Sequence, residues 1–259
     1  MSGNSSWSQL EQVLFQTAGL ILKPAVPDQV AVCIKCRGAR NYGYQTCYNC
    51  DPSSGCDLAG FCTYAVQSSQ MMRFMYDYKR QPSSRASDAA INTITGLMVS
   101  KISRHLGCCE KIANQKLRYW TNMPSTKNEA NKHSQNHPLY KMVYPIINQL
   151  YPHLAYLPIF ARESALKDSR RYSPELYETL NRPSGHVLLV EDTWVSGNHV
   201  ESVAQMLKDS GASAVSTLCI ARAVNHGYGT ANELIKHIEE ESQVFAPDIC
   251  PWTNSGVCP

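Results

Sequence analysis

The apolar positions of this chain change rhythm several times. Before residue 33, Leu10, Val13, Leu14 and Ala18 fall at helical spacing, and Pro24 and Pro27 close the run, which predicts a short helix. Residues 31–62 are poor in aliphatic side chains and rich in Cys, Gly, Asn and Tyr, so they cannot build an apolar core of their own. From about residue 84 the period is helical again. Ile91, Ile94, Met98, Ile102 and Leu106 lie three or four apart, Ser84 or Ser87 can cap the start, and Gly107 is the expected stop. Short apolar runs then alternate with helical patterns. Leu117–Trp120 predicts a strand, a polar loop runs through His137, and a helix is expected near 138–150. Ala155–Phe160 reads as a second strand and Arg162–Asn181 as a charged loop. Val187–Val190 is a continuous apolar run of the buried-strand type. A helix at about 199–210 follows, with Val200, Val203 and Leu207 on one face and Gly211 at its end, and Ala214–Ala221 is the fourth strand. Strands alternating with helices predict an α/β fold on a parallel sheet.

Composition narrows the class without naming an activity. The chain has 259 residues, 43% apolar and 17% charged, which describes a globular protein and excludes a disordered one. No apolar run approaches the roughly 18–20 residues of a bilayer span, so no membrane association is expected. The first 22 residues place no basic residue before the apolar patch, so a secretory signal is not expected. Net charge is 24 − 21 = +3, which does not by itself call for nucleic acid or a membrane as partner. Eleven cysteines, an odd number without a signal, point to reduced thiols in a cytoplasmic setting, some of them on a metal.

The stretch His186–Ser202 carries the most chemistry. A buried strand ends in two acids, Glu191 and Asp192; a loop with Ser196 and Gly197 follows, and a helix begins directly after it. In an open parallel sheet, ligands sit beyond the carboxyl ends of the strands. Backbone N–H groups and a helix N-terminus at that place attract a phosphate, and the two carboxylates suit the vicinal hydroxyls of a sugar. The combination fits a phosphorylated sugar. An ordinary βα turn with solvated acids remains the alternative reading.

These residues resemble the 5-phosphoribosyl diphosphate (PRPP) signature of the type I phosphoribosyltransferases: an apolar strand, two acids, two variable positions and a hydroxyl-rich Gly loop. The resemblance implies that Glu191 and Asp192 hold the ribose hydroxyls, with Mg²⁺ bound alongside PRPP, and that Thr193, Val195, Ser196, Gly197, Asn198 and His199 form the 5′-phosphate loop. Val195 stands where a hydroxyl residue is usual, and His199 where the closing Thr or Ser is usual. Met123, Pro124, Ser125, Thr126 and Lys127 follow the first predicted strand, in the place of that family's diphosphate loop. The interval Arg162–Tyr177, with Lys167, Arg170 and Arg171, corresponds to its mobile loop. For each of these segments a plain turn or a solvated charged loop is the alternative. The resemblance covers roughly residues 110–225.

Cys33, Cys36, Cys47 and Cys50 form C-x2-C-x10-C-x2-C. Each C-x2-C bends two thiolates toward one ion, and two such loops complete a tetrahedron, so a closed structural zinc site is expected. Cys56 and Cys62 can substitute for one of the four or stand aside. Cys250 and Cys258 read as core or surface thiols, and the adjacent Cys108 and Cys109 as packing residues.

A zinc ribbon before such a transferase domain resembles the competence-type (ComF-like) proteins, and Tyr64–Arg80, with Met71-Met72-Arg73-Phe74 and Tyr76-Asp77-Tyr78-Lys79, is similar to their linker helix. The expected division is a helical segment (1–30), a zinc-ribbon module (31–62), a helical linker or hood (63–109), a phosphoribosyltransferase-like α/β domain (110–225) and a C-terminal extension (226–259). Two functions follow. One is transfer of phosphoribosyl from PRPP to an unidentified nitrogen nucleophile. The other is an adaptor that keeps the fold to sense PRPP or a nucleotide, with the ribbon contacting protein or nucleic acid. Oligomers are compatible with either.

Overall fold

The computed structural model describes residues 9, 11, 12, 14, 16, 18–27, 31–50, 55–80, 82–126, 128–162, 171–241 and 244–259. Among the described residues there are seven strands: β1 (Leu58–Val66), β2 (Leu117–Asn122), β3 (Ala155–Tyr156), β4 (Phe160–Ala161), β5 (Tyr177–Glu178), β6 (Gly185–Trp194) and β7 (Ala212–Val224). Five of them make one parallel sheet in the order β1-β7-β6-β2-β3, and β4 and β5 pair antiparallel beside it. Residues 9, 11, 12, 14, 16 and 18 are helical, and the further α-helices among the described residues are α1 (Gln70–Asp77), α2 (Arg85–Ala113), α3 (Pro138–Leu150), α4 (Asn198–Asp209) and α5 (Ala231–Lys236). The fold is therefore α/β, as the alternating pattern predicts.

Alternation along the central strands builds two cores. Leu188 and Val190 of β6 and Leu218 and Ile220 of β7 face one side, where Met71 and Phe74 of α1, Leu97 and Ile102 of α2 and Val143 and Ile147 of α3 pack on them. Val187, Leu189, Val215 and Cys219 face the other, against Val200, Val203 and Leu207 of α4 and Leu234 of α5. With a side-chain period of two, each strand serves both layers, so the runs are continuously apolar. Cys33, Cys36, Cys47 and Cys50 belong to this second layer.

Four elements differ from the sequence pattern. The long helix does not stop at Gly107; it continues to Ala113 and closes at Asn114, whose φ of 49° is left-handed. A glycine inside a helix costs roughly 1 kcal/mol, and burial of Leu106, Cys108 and Cys109 around it outweighs that. The expected strand Ala155–Phe160 is split: β3 joins the main sheet and β4 turns to pair with β5. Pro158 lies between them and has no N–H to continue a ladder. The charged interval contains β5 and a 3₁₀ turn at Pro174–Leu176. Lastly, Leu58–Val66, which carries no alternation, is a parallel strand paired along its length with β7. The expected division between residues 62 and 63 falls inside it.

Candidate functional site

Strand order places the site. From β2 the chain moves outward to β3, then returns across the sheet to β6 on the other flank of β2. The carboxyl ends of β2 and β6 therefore adjoin where the connections diverge, the position at which open α/β sheets bind ligands. A cleft of about 170 Å³ opens there. Met123, Pro124 and Thr126, after β2, line one wall, and Glu191, Asp192, Thr193, Val195, Ser196, Gly197 and His199, at the end of β6 and beyond, line the other. Two sequence-predicted loops nearly seventy residues apart thus face one space.

The remaining predicted residues fall outside that lining. Asn198 is the first residue of α4. Ser125 closes a local turn, its Oγ accepting from the Asn128 N–H at 3.1 Å and its own N–H donating to Asn131 O at 2.9 Å. Arg171 is exposed and is not among the cleft residues. Arg162 pairs with Glu178 at 3.1 Å beside a different hollow. Lys127, Lys167 and Arg170 lie outside the described residues.

The acid pair is buried and its two members are unlike. Asp192 Oδ2 accepts from the Tyr78 hydroxyl at 2.5 Å and is ion-paired with the Lys79 ammonium. Burial works to raise its pKa, but Lys79, the hydrogen bond from Glu191 and the facing His137 outweigh it, so Asp192 stays ionised. Glu191 is raised well above the usual carboxylate range, by burial first and then by the Asp192 charge. Its Oε1 accepts from the backbone N–H groups of Asp192 and Thr193 at 2.7 and 3.3 Å. Burial and neighbouring charge thus act oppositely on the two carboxyls: Asp192 is held toward its ionised form and Glu191 is pushed toward its protonated one.

His137 caps α3, its Nδ1 accepting the Leu139 N–H at 3.1 Å, and its ring also lines the cleft. Burial pulls its pKa down to about 4, so it is neutral at pH 7. His199 reaches the cleft from α4 and is held by a 2.6 Å bond between its Nδ1 and the Tyr177 hydroxyl of β5.

The loop between β6 and α4 depends on Gly197. This residue is the N-cap, with φ at +88° and no side chain to cap the helix. A Cβ there would meet the buried Trp194 ring at 2.6 Å. The first turn of α4, with backbone N–H groups that have no intrahelical acceptor, so faces the cleft end of the loop.

In the same layer as α4, Cys33, Cys36, Cys47 and Cys50 bring their sulfurs within 4.8 Å of one another. Cys36 Sγ and Cys47 Sγ are 3.7 Å apart, close to the edge of about 3.8 Å expected for thiolates on a tetrahedral ion with 2.3 Å bonds. Hydrogen bonds from Cys33, Cys47 and Cys50 hold the Cys36 thiol well below the usual range, with Arg222 adding to them against burial, while contacts with Cys33 and Cys36 push Cys47 and Cys50 up. Without a cation the four cannot all ionise; one metal ion such as zinc resolves that. Cys56 stands aside, its thiol donating to Leu58 O and Thr217 Oγ1, both at 3.2 Å, and Cys62 is buried in β1.

This cluster is tied to the cleft. Fully buried Arg222 of β7 donates to Cys36 O at 2.7 Å and to Cys36 Sγ at 3.3 Å; it also reaches Trp194 O and Val195 O at 3.0 and 3.2 Å. Lys35 pairs with Glu201 of α4 at 2.8 Å, and Glu201 Oε2 accepts the Cys56 N–H at 2.9 Å.

Sequence reasoning passed over Tyr78, Lys79 and His137 as members of the cleft, and Arg222 and Glu201 as its supports. Tyr78 and Lys79 follow α1, and no local pattern says that they reach the end of a strand more than a hundred residues later. A buried arginine in β7, by contrast, was visible as a charge inside an otherwise apolar run. No protein-family model, curated protein or solved structure matches this chain.

Proposed function

We propose that the cleft binds PRPP together with Mg²⁺, and that the protein is a phosphoribosyltransferase-like enzyme of the type I fold. The observation that carries the reading is the convergence of Asp192, Glu191, the Ser196–Gly197 loop and Thr126 on one cleft at the sheet's switch point. In this reading the 5′-phosphate rests on the N-terminus of α4, where backbone N–H groups and the helix dipole favour an anion. The Asp192 carboxylate accepts from the ribose hydroxyls, and Glu191, whose pKa burial and the Asp192 charge raise, stands beside it. Lys79 is placed to neutralise anionic oxygens as the ribose displaces it from Asp192.

Transfer breaks the C1–O bond, with its electron pair leaving on diphosphate, and forms a C1–N bond from the lone pair of the nucleophile, whose proton is released. Positive charge develops on the ribose ring, and the ionised Asp192 stabilises it more than it stabilises the ground state. Mg²⁺, a hard cation, would be held by substrate oxygens, water and the Asp192 carboxylate, and would supply further charge neutralisation. The four-cysteine cluster is a structural zinc site, closed to substrate, that fixes Arg222 and through it the Val195 carbonyl.

A specific observation favours a second reading. Asp192 is already occupied by Tyr78 and Lys79, and Val195 brings no hydroxyl to the loop. An adaptor that binds PRPP or a nucleotide without turnover, and uses the ribbon to contact protein or nucleic acid, fits these features.

Calorimetry with PRPP and Mg²⁺, followed by diphosphate release in the presence of pooled bases and amines, tests both readings. Binding with release, both lost in Asp192→Asn, is expected for the enzyme. Binding without release selects the adaptor, and no binding refutes the PRPP site.

A further inference from the structure

We propose that His105, Cys108, Cys250 and Cys258 bind a second zinc ion, which fastens the end of the chain to the long helix α2. Their ligating atoms all lie within 4.8 Å of one another. His105 and Cys108 are three residues apart on α2 and so share a face. Cys250 and Cys258 come from the C-terminal segment, which folds into a tight loop. The Cys250 N–H donates to Gly256 O at 2.7 Å, and Gly256, at φ +74°, makes the turn that brings Cys258 back.

The histidine is prepared for a metal. Its Nε2 lies 2.7 Å from Pro247 O. A carbonyl oxygen only accepts, so Nε2 carries the proton and Nδ1 carries the lone pair. That lone-pair nitrogen is 3.3 Å from Cys258 Sγ, near the edge of roughly 3.6 Å for one nitrogen and one sulfur on a tetrahedral zinc ion. A ring N–H donated to a backbone carbonyl is the usual support of a ligating histidine. One turn earlier on α2, Lys101 Nζ donates to Ala246 O, Pro247 O and Ile249 O at 2.9, 3.2 and 2.7 Å. The ammonium fixes the same segment and offsets the charge of about −1 that three thiolates and one imidazole leave on a zinc ion.

Cys108 and its neighbour Cys109 have different roles. The Cys109 thiol donates to Leu106 O at 3.0 Å and is fully buried, whereas Cys108 alone joins the cluster. The expectation that Cys108, Cys250 and Cys258 are simple packing or surface thiols is thereby replaced. The clip has a mechanical purpose. Pro251 O accepts the Phe61 N–H of β1 at 3.0 Å, and Trp252 lies so close to Gly60 that a Cβ there would meet its ring at 2.6 Å. Fastening residues 250–258 to α2 thus holds a cover over β1, one edge of the main sheet.

The test counts metal in the full-length protein purified with a reductant. Native mass spectrometry and elemental analysis are expected to return two zinc ions per chain. Cys258→Ser, at an exposed position, should return one. Alkylation of the native protein should leave Cys108 and Cys250 protected until a chelator is added. A zinc count that Cys258→Ser leaves unchanged overturns the proposal. So does a disulfide among Cys108, Cys250 and Cys258 in protein that retains zinc on the other four cysteines.

Discussion

The Tyr78 hydroxyl donates to Asp192 Oδ2 at 2.5 Å and joins the end of α1 to the end of β6 across 114 positions of sequence. A buried carboxylate needs such a donor, and a hydrogen bond to a charged group contributes about 1.5–3 kcal/mol. Tyr78→Phe is therefore expected to lower the unfolding free energy by about that much in urea titration. It should also raise the pKa of Asp192, measured by carbon-detected NMR. Wild-type stability in the variant would mean that the bond is not formed.

His137 sets an acid limit. Its folded pKa of about 4 lies below the ordinary value of 6.5 because burial disfavours the imidazolium, with Lys79 opposing the charge and Asp192 favouring it. The unfolded chain therefore takes up the proton first. The contribution is fully present above pH 6.5 and is lost as pH falls toward 4, by of order 3 kcal/mol across the window. Unfolding titrations from pH 7 to 4 should show this slope. His137→Asn keeps a cap acceptor for α3 and should flatten the slope.

Gly197→Ala strains the turn into α4. The residue sits at φ +88°, and the new methyl would meet the Trp194 ring at 2.6 Å. Left-handed strain and overpacking together should cost about 2–4 kcal/mol, read as a fall in Tm. On the proposed reading of the cleft, binding of PRPP should also weaken in calorimetry, since the loop must move.

Arg222→Met keeps most of the volume but removes the donors to Cys36 O, Trp194 O and Val195 O. The buried carbonyls of Cys36 and Trp194 then lose a partner, at about 1–3 kcal/mol each where water cannot enter, and the more exposed Val195 carbonyl loses less. The variant is expected to unfold at a lower urea concentration and to release zinc to a chelator faster than the wild type. Unchanged zinc release would show that Arg222 does not support the cluster.

Much of the central architecture was legible because it is local. Helix α3 begins and ends where its pattern predicts, and Val200, Val203 and Leu207 of α4 are buried together. β1 was not legible. It runs Leu-Ala-Gly-Phe-Cys-Thr-Tyr-Ala-Val, buried on both faces, so it has no alternation to read, and it lies beside a cysteine-rich segment with a different composition. The cluster of His105, Cys108, Cys250 and Cys258 was hidden for another reason. Cys108 and Cys250 are 142 positions apart, and only the packing of the last residues on α2 makes them neighbours.

Sequence alone determined the parallel α/β plan, the four-cysteine spacing and the strand–acid–loop–helix unit, since each is written in side-chain period or in spacings of a few residues. Tertiary structure decided how these parts combine: that the loops after β2 and β6 share a cleft, that Tyr78 and Lys79 occupy Asp192, and that Arg222 links the cysteine cluster to the loop. Strand order and helix packing bring such groups together, and both follow from long-range burial of apolar surface, which leaves no local mark on the residues it makes neighbours.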